Sequence, residues 1–301
     1  MQASNFQTFK LGLIGYPLSH SLSPKIQTSA LKACGLPGDY SLFPIHPDEQ
    51  QALKDLVERV RAGEIQGLNV TIPHKQNVIQ FLDELTPTAN AIGAVNTIYL
   101  RNDKLIGDNT DAPGFLADLK KFLTTETCFD GAQHRLRHGE LKAVVLGAGG
   151  SARAIVYALL NDGWDTILAA RRIEQAQQLA DSFIDYQLQI VDLTLSNTEL
   201  SNISLIINAT PLGMTPNIDQ SPWPENIPFP TNASIYDLIY NPHETKLVQA
   251  ACNQGLQATT GLGMLIEQAA LSFEIWTGYH PSREIMRASV EQSPVTNQGG
   301  F

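Results

Sequence analysis

The chain has 301 residues, 43% hydrophobic and 17% charged, with a formal net charge of −10. That length and apolar content suit two globular domains and exclude disorder, while the acidic balance argues against nucleic acid or a membrane surface as partner. No signal-peptide pattern opens the chain and no window approaches the ~18 apolar residues of a membrane span, and three scattered cysteines, Cys34, Cys128 and Cys252, argue against disulfides or zinc and for the cytoplasm.

The first third alternates strand-like and helix-like segments. "KLGLIG" predicts a strand, and a helix is expected from Ser23-Pro24 to Cys34-Gly35. "YSLFPIH" predicts a second strand, an amphipathic helix follows from Asp48 to Ala62, "QGLNVTI" predicts a third strand, and a helix is expected from Pro73 to Glu84. Such alternation favours an α/β layer with a mostly parallel sheet. "AVNTIYL" and "KLIGDN" flank "RND" as a hairpin, and a helix is expected from about Ala112 to Leu123.

The segment from 124 to 140 has no period and is expected to be a connection. Strands are then predicted at "KAVVLGAGG", "TILAARR", "YQLQIVDL", "SLIINAT" and "ASIYDLIY". Five prolines between Pro216 and Pro230 exclude regular structure there. Two helices close the chain, in "MLIEQAALSFEIWTG" and "SREIMRASV".

Within "VVLGAGGSARAI", Gly147, Gly149 and Ala152 fit the G-x-G-x-x-G/A turn of a dinucleotide site. Gly147 permits the tight turn, Gly149 lets backbone approach a pyrophosphate, and Ala152 lets helix and strand pack closely. An NAD site usually carries an acid about 20 residues on, to bind the ribose hydroxyls. This chain has Ala169, Ala170, Arg171 and Arg172 there. Two guanidiniums suit a 2′-phosphate, so the expected cofactor is NADP. The competing reading of both arginines as solvated surface residues follows from the general habit of charged side chains.

Three stretches ahead of that turn gather polar groups. In "GYPLSHSLSP", Ser19, Ser21 and Ser23 alternate, so an extended segment would align their hydroxyls, and Ser23-Pro24 resembles a helix N-cap followed by proline. In "NVTIPHK", Asn69 and Thr71 share a strand face, and Lys75 stands at an expected helix start, where a cation is awkward. "GAVNTIYLRNDKLIGDNTD" offers Asn96, Asn109, Thr110 and Asp111. Farther on, Met264 and Gln268 have the i, i+4 spacing that lets both face one site, and Tyr236, Leu238 and Tyr240 alternate along a strand. Each of these also has a plain structural reading as cap, turn or core residue.

In their order, "HSLSP", "NVTIPHK", "AVNT", "GDNTD", "GAGGSARA", "NATPLGM", "YDLIY" and "GLGMLIEQ" make the chain resemble the shikimate dehydrogenase family over nearly its whole length. The resemblance implies an N-terminal α/β substrate-binding and catalytic domain, 1–111, completed by C-terminal helices 261–301. A Rossmann-type doubly wound NADP-binding domain would span 112–260. It implies an oxidoreductase acting on a CH–OH group, reducing 3-dehydroshikimate to shikimate with NADPH in aromatic amino-acid biosynthesis.

Carried over, Lys75 and Asp111 would be the catalytic pair. Ser21 and Ser23 would hold the substrate carboxylate, and Thr71, Asn96, Tyr236 and Gln268 would position the ring. Gly147, Gly149, Gly150, Ser151 and Ala152 would line the pyrophosphate turn, with Arg171 and Arg172 near the 2′-phosphate. Thr210, Met214, Gly261 and Met264 would lie near the nicotinamide. The chain departs from the family pattern in having Gln27-Thr28 for His-Asn, Pro211 for Ser, and Gln175 where a further arginine is common.

Ketone reduction needs a hydride on carbon and a proton on oxygen. A lysine ammonium can polarise the carbonyl and donate that proton; Asp111 is expected to orient it and bind a substrate hydroxyl. No metal is expected: His134 and His138 have i, i+4 spacing, but no third ligand is near. No G-x-S-x-G elbow suggests a hydrolase. The remaining alternatives are a quinate/shikimate dehydrogenase with NAD or dual cofactor use, and a catalytically silent NADP-binding sensor. The sequence leaves oligomeric state open.

Overall fold

In a computed structural model of the chain, the described residues are 8–124, 141–186, 188–195, 200 and 202–291. They divide into two compact units. One takes the described parts of Met1–Leu85, Val95–Thr110 and Ala269–Phe301; the other takes those of Thr86–Ala94 and Asp111–Gln268.

The first unit opens with β1 (Phe9–Gly15), α1 (Ser23–Ala33), β2 (Gly38–Pro44), α2 (Gln50–Arg61) and β3 (Gly67–Val70). β1 is buried at every position but one, as a parallel strand covered on both faces must be. α2 buries Leu53, Leu56, Val57 and Val60, a single apolar stripe at helical spacing. After β4 (Glu84–Leu85), the chain enters the other unit for α3 (Pro87–Ile92) and returns for β5 (Thr97–Arg101) and β6 (Lys104–Asp108). Asn102 and Asp103, both at positive φ, form the two-residue hairpin loop expected at "RND". The strand order is β2-β1-β3-β5-β6-β4. β3 and β6 run parallel to β1, and β5 runs against them.

The second unit contains α4 (Asp111–Thr124), β7 (Lys142–Leu146), α5 (Gly150–Asn161), β8 (Asp165–Ala169), α6 (Ile173–Asp181), β9 (Gln189–Val191), β10 (Leu205–Asn208), β11 (Ser234–Asp237), α7 (Lys246–Asn253) and β12 (Ala258–Thr260). Its sheet order is β12-β11-β10-β7-β8-β9, all parallel. Counted from β7, this is the 3-2-1-4-5-6 order of a Rossmann sheet, with the switch point between β7 and β10. Ala143 and Val145 face a core shared with α4 and α5, whereas Val144 and Leu146 face one built with α7 and the proline-rich segment.

α8 (Leu262–Thr277) begins in the second unit and ends in the first, followed by α9 (Arg283–Glu291). In the first unit, the indole of Trp276 covers Gly67 and donates to the Ile98 carbonyl at 3.1 Å. A Cβ on Gly67 would fall 2.2 Å from that ring, so only glycine fits. Gln27, also buried, donates to the Ala269 carbonyl at 2.9 Å.

Three local expectations are corrected. The helix expected over Pro73–Glu84 is only a 3-10 turn, Asn77–Phe81, because Glu84 and Leu85 leave to pair with Ile106 and Gly107 of β6. A distant strand thus overrides local helical periodicity. Ser23 is not an N-cap: α1 begins at Ser23 itself, behind Leu22. Nor is 19–23 extended, since Ser21 N–H turns back to the Leu18 carbonyl, leaving Ser19 exposed and Ser23 buried.

Candidate active site

In the first unit, β1, β3 and β6 end at the same sheet edge at which β5 begins. Ser21 and Ser23 follow β1, Thr71 and Lys75 follow β3, Asn96 precedes β5, and Asn109 and Thr110 follow β6. Seven of the polar residues singled out in the sequence therefore gather at one edge although they run from Ser21 to Thr110.

Buried hydrogen bonds fix this edge. Tyr40 donates to Asn69 Oδ1 at 2.8 Å, and Asn69 Nδ2 donates to Ser272 Oγ at 3.0 Å and to the Asn96 carbonyl at 3.1 Å. Ser272 also meets the hydroxyls of Thr97 at 2.8 Å and Thr110 at 3.1 Å. Asn96 accepts from Thr110 N–H at 2.8 Å and donates to its hydroxyl at 2.9 Å. The Tyr40 hydroxyl also meets Ser23, and burial pushes that phenol up. Ser21 Oγ accepts from Ser23 N–H at 3.3 Å.

Lys75 is buried, one residue ahead of Gln76, the N-cap of the short 3-10 turn, and not within the first turn of an α-helix. Its carbonyl accepts from Val95 N–H at 2.7 Å, tying the lysine turn to the segment that carries Asn96. Beside it, His74 is fully buried and bonds the Ile45 carbonyl through Nε2 at 2.7 Å. Asp111 is the buried first residue of α4, next in sequence to Thr110.

In the second unit, every strand of the sheet ends at one edge. The turn Gly147–Gly150 follows β7, Arg171 and Arg172 follow β8, Thr210 and Met214 follow β10, and Gly261 follows β12. Gly147 has φ +104, and a Cβ there would sit 2.9 Å from Thr210 Cγ2. Gly149 faces open space, with no atom within 4 Å of where its Cβ would be. It is also the N-cap of α5 and supplies no side-chain cap, so the N–H groups of Gly150, Ser151 and Ala152 are presented without a capping acceptor. Ala152 packs into the core.

Arg171 and Arg172 are exposed and make no ion pair among the described residues. Arg172 is moreover the N-cap of α6, where the helix dipole adds to the positive charge. A bare glycine turn and an unneutralised cationic pair one strand away fit the pyrophosphate and 2′-phosphate of NADP.

Tyr236 lies elsewhere than a ligand surface. It is fully buried, its hydroxyl donates to Asp118 Oδ2 at 2.6 Å, and Phe115 and Phe122 meet its ring edge-on. Tyr240, two alternations on and past the end of β11, is partly exposed at the edge. The "YDLIY" alternation held both tyrosines; burial separates them. Met264 is buried in the second unit's core, Gln268 is half-buried on the same helix and donates to the Leu265 carbonyl, and Met214 is exposed. Gly261 is required by close approach, since a Cβ would lie 2.1 Å from the Leu238 carbonyl oxygen.

Among the described residues no cluster of His, Cys, Asp or Glu could hold a metal ion, and no helix is long and apolar enough to cross a membrane. His134, His138 and Cys128 lie outside the described residues.

Three family models match: a shikimate dehydrogenase substrate-binding domain over 13–98, a shikimate/quinate 5-dehydrogenase over 130–221, and a shikimate 5′-dehydrogenase C-terminal domain over 261–291. Shikimate dehydrogenase (NADP(+)) of Carboxydothermus hydrogenoformans is 38% identical, covering 95% of this chain and 98% of its own. The structure resembles Thermus thermophilus shikimate 5-dehydrogenase in complex with NADP(H) and shikimate, with TM-score 0.79, 35% identity, and 93% and 98% of the two chains covered. It also resembles quinate dehydrogenase from Corynebacterium glutamicum in complex with NAD, with TM-score 0.81, 29% identity, and 94% and 98% coverage.

Proposed function

The chain belongs to the shikimate dehydrogenase family, and we propose that it catalyses the reversible NADPH-dependent reduction of 3-dehydroshikimate to shikimate. The observation that carries this reading is the gathering of Ser21, Ser23, Thr71, Lys75 and Asn96 at one strand edge, with Asp111 next in sequence to the Thr110 that Asn96 holds.

The substrate's chemistry assigns the roles. Its carboxylate takes the hydroxyls of Ser21 and Ser23 at the start of α1, where helix N–H groups also favour an anion. Thr71, Asn96 and Gln268 bind the ring hydroxyls and carbonyl. Tyr240, at the edge, takes the place that the sequence offered to the buried Tyr236. Lys75 Nζ donates a proton to the substrate oxygen as negative charge develops there, and in the reverse direction recovers it. Asp111 orients that ammonium and accepts from a ring hydroxyl.

NADPH, when bound, supplies the hydride. Gly147, Gly149, Gly150, Ser151 and Ala152 form its pyrophosphate turn, and Arg171 with Arg172 receives the 2′-phosphate. Thr210, Met214, Gly261 and Met264 serve the nicotinamide end. The second unit is thus assigned to the cofactor, and most of the substrate-binding groups belong to the first. Cys34 and Cys252 are both free, which suits the reducing cytoplasm where we place the protein.

The test is a steady-state assay with shikimate and quinate, each with NADP and NAD. Turnover centred on shikimate with NADP is expected. Comparable rates with quinate or NAD would move the chain toward the quinate dehydrogenase that its fold also resembles. Binding of NADPH without any turnover would leave a cofactor-binding sensor.

A further inference from the structure

Asn208 and Asp237 end the neighbouring strands β10 and β11 and stand opposite each other in register. Both side chains are fully buried, and no role in the reaction described above uses Asp237. Asn208 Nδ2 donates to Asp237 Oδ1 at 2.9 Å and to the Leu212 carbonyl at 3.1 Å. Its Oδ1 accepts from Thr210 N–H at 2.8 Å and from the Thr210 hydroxyl at 2.7 Å. Every hydrogen-bonding position of this amide is engaged, so its orientation is fixed.

Asp237 gathers a second loop. Oδ1 accepts from Ile239 N–H at 3.0 Å, and Oδ2 accepts from the Thr245 hydroxyl at 2.6 Å. Thr245 Oγ1 itself accepts from Val248 N–H at the start of α7, which commits its proton to Asp237. The carboxyl therefore meets three donors, two of which have no alternative direction. Burial raises it to about 6 in spite of those donors.

The loops so held are functional ones. Thr210, fixed by Asn208, presses its methyl group against the Gly147 turn. The segment after Asp237 carries Leu238, whose carbonyl packs on Gly261, and Tyr240.

We propose that Asp237 is a positioning residue for the dinucleotide, holding the wall of the Gly147 turn through Asn208 and Thr210 and the Leu238–Thr245 loop through Ile239 and Thr245. The proposal rests on the second unit being the cofactor unit. Asp237 acts at one remove, through the loops, and touches neither ligand.

Direct titration of NADPH fluorescence tests this in wild type, Asp237→Asn, Thr245→Val and Thr245→Ser, with thermal unfolding and the shikimate KM measured alongside. Losing a hydrogen bond to a charged acceptor corresponds to about tenfold. Asp237→Asn and Thr245→Val are expected to weaken NADPH binding about that much, with Thr245→Ser close to wild type; because Tyr240 rides on the same held loop, the shikimate KM is expected to rise with them, by less than the loss in NADPH affinity. Thr245→Val carries the test if Asp237→Asn does not fold. Lowered thermal stability with unchanged NADPH affinity would assign a merely structural role and overturn the proposal. A folded wild type that fails to bind NADPH would overturn the cofactor reading itself, before any variant is compared.

Discussion

Lys75 is a buried ammonium in a turn whose backbone is pinned on both sides, by Thr71 at His74 N–H and by Val95 at its own carbonyl. A long side chain held this way delivers its charge to one place. On the proposed roles, replacing it with alanine would remove the proton donor but leave Ser21, Ser23, Thr71 and Asn96 to bind substrate. Lys75→Ala is expected to remove most turnover while the shikimate KM stays within about tenfold, as for an interaction made chiefly in the transition state; a rate near wild type would end the catalytic assignment. At this scale the sequence was legible where chemistry is tied to backbone form. Gly147 had to be glycine, and its φ of +104 shows why. It was not legible where burial decides. Tyr236 and Tyr240 share a strand alternation and a residue type, and only the carboxylate of Asp118 beneath one of them tells the two apart.

Between strands, the Asn208–Asp237 rung carries a cost in stability that pH exposes. The Asp237 carboxyl sits at about 6 in the fold against 3.8 for the free side chain, chiefly because burial disfavours its charge. The folded state therefore holds the proton more tightly than the unfolded one. Its stabilising contribution is complete below about pH 4 and is lost as pH rises through about 6. Asn at 237 cannot titrate. The melting temperature of wild type relative to Asp237→Asn is expected to fall between pH 4 and about 6 and to level off above; a difference independent of pH would mean the carboxyl is not shifted in this direction. Among elements, the inner parallel strands were readable because each is a continuous apolar run bounded by turn residues. The Pro73–Glu84 helix misled for the opposite reason: its last residue, Glu84, pairs together with Leu85 to Ile106 and Gly107 of β6, distant in sequence. α3 and α7 are short helices whose starts rest on Thr86 and Thr245 caps, a weak signal beside the long runs around them.

Across the whole molecule, two α/β units were foreseeable from the restart of strand-turn-helix pattern at "KAVVLGAGG". The excursion of Thr86–Ala94 into the second unit was not, since nothing in a six-residue helix announces which sheet it will join. The C-terminal segment completes the first unit through α9, which packs on α1, through Trp276, on Gly67 and the Ile98 carbonyl, and through Ser272, on Asn69. Trp276→Ala would strip a large buried ring from this seam and is expected to cost about 3–5 kcal/mol in chemical denaturation. A loss within about 0.5 kcal/mol would show that the seam is not held by the indole.

The division of the chain also sets an order of events during its synthesis. β3, β5 and β6 leave the ribosome early, yet the residues that cover them, from Ala269 onward, come only after everything between 111 and 268 has been made. A nascent chain must therefore carry the bare face of Gly67, and an Asn69 amide still short of its Ser272 partner, while the entire second unit folds ahead of it. The first unit to be translated is the last to be finished, and through that interval it is the part of the protein most in need of a chaperone.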